Sequence, residues 1–271
     1  MTTATIDDHR SLQGRNDDRL RADGLRAAAD PRRRRAVLAQ VGSGPQGRRG
    51  ARRPLHGDHL RPPRPGGERG HPALFGRREV EDIEALIAEA GGRAHACGFS
   101  SGGVLAMEAA RAGAAIDRLV VYEAPFIVDD SRPPVSSSYA PQLNELLAAG
   151  RRGDAVKLFM RLVGMPRILL AVSPLFPGWG KLKGVAHTLP YDAACMGDTQ
   201  AGRQLEAAHW GEVTVPTLVM VGGKSPAWMA NGMRSLAELL PDGRLQVLEG
   251  QTHMVKAKAL APAVKPFLGV G

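Results

Sequence analysis

Apolar residues fall into ordered patterns after about residue 79 and into almost none before it. Over 79–90, Val80, Ile83, Ile87 and Ala90 recur at the spacing of one helical face, and Gly91-Gly92 ends the helix. Short apolar runs without alternation follow at 93–97, 119–122, 216–221 and 245–248, and these read as strands. Residues 104–112, 228–240 and 260–268 read as helices, the last weakened by Pro262 and Pro266. A loop is marked by Pro133-Pro134 and Ser136-Ser137-Ser138. The stretch 141–210 is then mostly helical, cut by Pro166, Pro174, Pro177 and Pro190. Strands that are apolar throughout are buried on both faces. The expected fold class is therefore α/β, a mostly parallel sheet with helices on both sides. There is no internal repeat.

Composition refines this picture. A chain of 271 residues with 43% hydrophobic content suits one α/β domain with a small cap. Cys97 and Cys195 supply neither a disulfide framework nor a metal-binding spacing. No leading apolar segment and no run long enough to span a bilayer stands out, so the expected location is the cytoplasm, with no membrane partner. The basic balance is uneven. Residues 1–78 hold 18 Arg, no Lys and 8 acidic residues, a net of +10. The remainder holds 18 basic and 19 acidic residues, a net of −1. The basic segment lacks interleaved aromatics and zinc spacing, so nucleic acid is not the expected partner.

The chemistry centres on Gly98-Phe99-Ser100-Ser101-Gly102. As a pentapeptide it is weak evidence, but here a strand enters it and a helix leaves it, which is the context of a nucleophile elbow. The glycines permit a sharp turn that lifts the Ser100 hydroxyl clear of the sheet, and the helix N-terminus favours negative charge nearby. The plain alternative is that Ser100 caps the helix. His253, in the turn 250–253 after the last strand, is the second candidate. His187 and His209 read as packing or surface residues, and Cys97 as a small core residue. The Gly-x-Gly-x-x-Gly match at 42–47 lacks a following helix, and the His56-Gly57-Asp58-His59 cluster lacks a scaffold. Neither supports a dinucleotide or metal site.

Residues 79–268 resemble the α/β-hydrolase fold family in the order nucleophile, cap insertion, histidine. The resemblance implies a core over 79–129 and 211–271, with a helical cap over 130–210. It implies that Ser100 attacks an acyl carbon, that His253 accepts and returns its proton, and that the Ser101 N–H supplies half of an oxyanion hole. Many members carry an Asp where this chain reads Gly222-Gly223-Lys224-Ser225-Pro226. Some instead use a Glu one strand earlier, which points to Glu123, with Asp129 or Asp130 behind it; a dyad assisted by backbone or water is the other option. The implied activity is cofactor-free, metal-free, esterase-like hydrolysis of a small-molecule acyl bond. Perhydrolysis and carbon–carbon bond hydrolysis stay open on the same residues. A serine here argues against the dehalogenase and epoxide-hydrolase chemistry that uses Asp in this fold. The rival reading is a non-catalytic or inactive hydrolase-fold protein.

The family pattern also implies two buried strands, a glycine turn and a D-x-R-G-x-G-x-S motif before Glu79, none of which stands in residues 25–78. Only 36–41 could form a strand there. Read one nucleotide later, Leu55-His56-Gly57-Asp58-His59-Leu60 permits F-T-V-(T/I)-T-Y. In that same frame the run from Arg61 to His71 permits D-R-R-G-R-G-E-S-G-D-T, and Leu74-Phe75-Gly76 permits Y-S-V. The expectation is that residues 1–78 are a degraded or out-of-frame part of the core. A chain missing those strands is expected to fold poorly and to be weakly active at best.

Overall fold

The computed structural model describes residues 36–37 and 73–270. The sheet of the described residues has five parallel strands in simple sequential order. They are β1 (Ala36–Val37), β2 (Ala94–Phe99), β3 (Ile116–Tyr122), β4 (Thr217–Gly222) and β5 (Gly243–Leu248). Two-residue β1 pairs with His95 and Ala96 and lies within the run 36–41 that alone read as strand. The 42–47 and 56–59 motifs, and the run up to residue 72 that is expected to be out of frame, lie outside the described residues.

Helix α1 spans Ala73–Glu89, so it starts six residues before the expected Glu79. Gly76, Arg77 and Arg78 break the apolar spacing there and hide the first turns. Helix α2 (Ser101–Arg111) follows β2 directly, and Val104, Ala106, Met107 and Ala109 on it are fully buried. Between β3 and β4 stand α3 (Tyr139–Ala148), α4 (Arg152–Leu162), α5 (Arg167–Val172), α6 (Trp179–Val185), α7 (Leu189–Met196) and α8 (Ala207–Trp210). Helices α9 (Ala227–Leu239) and α10 (Ala257–Leu268) complete the chain.

Side-chain alternation divides the core. Leu119, Val121, Val219 and Val221 join the cluster under α1, α2 and α9, while Val120, Tyr122, Leu218 and Met220 join the cluster under α10. Successive residues of a strand point to opposite faces, so continuous apolar strands need cover on both. Helix α10 forms across Pro262 and Pro266 because Leu260, Val264, Phe267 and Leu268 bury against that second face. Tertiary burial outweighs the lost helical bonds.

Candidate active site

Ser100 follows β2, Glu123 follows β3 and His253 stands in the turn after β5, all beyond the C-terminal ends of the parallel strands. Ser100 follows β2 with φ 56° and ψ −132°, a conformation rarely adopted outside glycine. It makes no side-chain capping bond to α2, so it does not serve as an ordinary helix cap. Its own amide donates to the Tyr122 carbonyl at 2.9 Å, which fixes the turn to the end of β3. A Cβ on Gly98 would lie 2.4 Å from the Gly102 carbonyl oxygen and 2.5 Å from the Gly103 Cα. Only glycine lets α2 start this close to β2. The Ser101 amide stands in the first turn of α2, where N–H groups have no carbonyl of the helix to bond.

Glu123 ends β3, also with positive φ, at 49°. Its side chain is fully buried yet fully engaged. Oε1 accepts from the Gly222 N–H at 2.7 Å and from the Ser225 hydroxyl, and Oε2 faces His253 Nδ1 at 2.9 Å. Burial alone would push this carboxyl up. The bonds from His253, Ser225 and the Gly222 N–H outweigh that and hold it below the usual carboxylate range. An ionised carboxylate only accepts, so Nδ1 of His253 is the donor in this contact, which leaves Nε2 as the ring nitrogen turned away from Glu123. The His253 ring is about half exposed, at 48%. The Tyr122 hydroxyl donates to the Thr252 carbonyl at 2.7 Å beside it. A Cβ on Gly222 would come within 2.5 Å of the Gln251 carbonyl oxygen, so the turn before His253 rests on bare backbone.

The other carboxylates stand elsewhere. Asp129 accepts from the Ser131 amide and hydroxyl and from Asn231, not from His253. Asp130 has an ordinary loop position. His187 bonds the Gly184 carbonyl, and His209 bonds Glu108 while its ring meets the Trp210 edge. Cys97 is buried, and that burial pushes its thiol up to about 12, leaving it an inert core residue. Among the described residues no three His, Cys, Asp or Glu side chains group as a metal would require. None of the described helices is long and apolar enough to cross a membrane.

Sequence reasoning missed four contributors. Ser225 stands where a carboxylate was sought, and its hydroxyl binds the carboxylate supplied from β3. Gly222 gives that same oxygen an N–H, and Tyr122 anchors the histidine turn. Asp192, on α7, accepts from the Ser101 hydroxyl at 2.8 Å. The one available signal for it was an acid standing alone in the otherwise uncharged segment Leu189–Met196.

The model of the Alpha/beta hydrolase family matches residues 50–262. The chain belongs to this family. An alpha/beta hydrolase from Sphaerobacter thermophilus DSM 20745 is 47% identical, with TM-score 0.64, over 71% of this chain and 74% of that one. A hydrolase from Pseudomonas aeruginosa PA01 is 22% identical, with TM-score 0.49, over 74% and 72%. The enol-lactonase from Burkholderia xenovorans LB400 is 21% identical, with TM-score 0.46, over 72% and 73%. No curated protein matches the chain. In this α/β hydrolase the family's fold is carried by the parallel sheet, the strand–turn–helix unit at Ser100 and the helices inserted between β3 and β4.

Proposed function

We propose that this α/β hydrolase is a serine hydrolase acting on an ester or related acyl bond of a small molecule through an acyl-enzyme. The observation that carries the reading is the His253–Glu123 bond, with a fully buried carboxylate held ionised by three donors. Such a carboxylate holds the imidazole in one tautomer and stabilises its protonated form. His253 then takes the Ser100 proton as the hydroxyl adds to the acyl carbon. The Ser101 N–H receives the developing oxyanion. His253 returns the proton to the leaving group, and water repeats the sequence to release the acid. Fluorophosphonate labelling tests the reading, since the reagent reacts only with an activated serine. Labelling that vanishes in Ser100→Ala and drops sharply in His253→Ala is expected. A folded protein that takes no label is a non-catalytic member of the family.

A further inference from the structure

Two side-chain bonds join the helices inserted after β3 to α2, one at each end of that helix. His209 Nε2 meets Glu108 near its C-terminal end at 2.7 Å, and Ser101 Oγ donates to Asp192 Oδ1 at its N-terminal end at 2.8 Å. The first lies away from the elbow. The second grips the residue that follows Ser100 and bears the candidate oxyanion amide. We propose that Asp192 is a positioning residue that holds Ser101, and so its backbone N–H, at the orientation the oxyanion requires. The inference rests on the serine-hydrolase reading.

Three observations support it. Ser101 is only 8% exposed, so its hydroxyl has little water to bond in place of Asp192. Asp192 makes no ion pair with any side chain described from residue 79 onward, and burial pushes its carboxyl up despite the Ser101 bond. Tyr139 is likewise pushed up to about 12, by burial and then by the Asp192 charge. A partly buried carboxylate with a single neutral hydrogen-bond donor gains little for the fold. Finally, an amide in the first helical turn is oriented by whatever holds that turn. Ser100 contributes no capping bond, which leaves the Ser101–Asp192 contact as the polar side-chain tie at this end of α2.

The geometry separates acceptor from charge. Asparagine keeps an acceptor oxygen for Ser101 Oγ; alanine does not. The test is the second-order rate of fluorophosphonate labelling in the full chain, together with kcat and KM for p-nitrophenyl acetate and a melting temperature for every variant. Asp192→Ala and Ser101→Ala are each expected to label and turn over about tenfold more slowly, the upper reach of one net hydrogen bond. KM stays within about twofold, because the oxyanion contact matters most in the transition state. Asp192→Asn is expected to restore the parent rate. The double variant Ser101→Ala/Asp192→Ala is expected to be no slower than either single, since both remove one contact. His209→Ala, which removes one tie at the other end of α2, where Arg111 Nη1 also meets Glu212 at 3.1 Å, leaves the labelling rate unchanged.

Asp192→Ala labelling at the parent rate overturns the proposal. So does Asp192→Asn as slow as Asp192→Ala, or a double variant that loses the product of the two singles. A His209→Ala loss equal to that of Asp192→Ala also overturns it, since any tie between α2 and the inserted helices would then serve. Failure of the underlying reading is separate: label retained in Ser100→Ala sinks the nucleophile whatever Asp192 does.

Discussion

The Tyr122 hydroxyl donates to the Thr252 carbonyl at 2.7 Å, so the strand that ends in Glu123 also holds the turn that presents His253. Glu123 and His253 thus share a mechanical support as well as a hydrogen bond. Tyr122→Phe keeps the ring in its buried place and removes only this tether. We expect kcat/KM to fall about three- to tenfold, the range of one net hydrogen bond. The melting temperature should fall modestly, because the Tyr122 hydroxyl is fully buried and its loss leaves the Thr252 carbonyl without that donor. An unchanged kcat/KM would show that the turn holds its shape without Tyr122.

Glu123→Gln should lower kcat by on the order of 10²–10⁴-fold, because a neutral amide can stabilise the wrong imidazole tautomer and cannot balance an imidazolium. The pH dependence of stability follows from the sign of the shift. Glu123 has a folded value below its unfolded one, so its ionisation stabilises the fold above the ordinary carboxylate value of about 4.3. That stabilisation is lost as pH falls from there through the depressed value. Urea unfolding of parent and Glu123→Gln should therefore differ by a constant amount at neutral pH and converge in acid.

Gly98→Ala tests the elbow from the packing side. Its new Cβ would strike backbone atoms, the Gly102 carbonyl oxygen and the Gly103 Cα, which no rotamer change relieves. Overpacking of this kind costs about 1–3 kcal/mol. The displaced α2 should also cost labelling at Ser100. A variant with parent-like urea midpoint and labelling rate would refute the close approach.

The coding DNA across codons 25–80 tests the out-of-frame proposal. The shifted frame is expected to spell D-R-R-G-R-G-E-S-G between compensating single-base changes. A chain rebuilt in that frame should melt higher and turn over faster than the present one. Third bases that forbid the string would make the Arg-rich segment genuine protein.

Legibility in the sequence followed local simplicity. The strand–turn–helix unit was legible because one pentapeptide carries its turn, its close packing and its candidate nucleophile together. Residues 116–118 were lost from β3 because Asp117 and Arg118 interrupt the apolar run. In the structure Asp117 pairs with Arg93, and the Arg118 guanidinium lies over the Phe267 ring and bonds the Phe267 carbonyl. Charged residues at a strand's start are held by partners far along the chain, which no window of sequence reveals. The first three residues of α10, Ala257, Lys258 and Ala259, were missed because they carry no apolar spacing that distinguishes them from the loop before them. Ser225 and Asp192 escaped for a similar reason. Their meaning lies in contacts across 102 and 91 residues of chain.

Because the Ser225 hydroxyl and the Gly222 amide converge on the same oxygen of Glu123, the ends of β3 and β4 address a single point beside the histidine. The candidate acid is therefore a property of that location rather than of the strand that delivers it. A carboxylate could migrate from one strand end to the other by exchanging donor and acceptor, leaving the imidazole undisturbed. Triads that look different along the chain would then be two tenancies of one place.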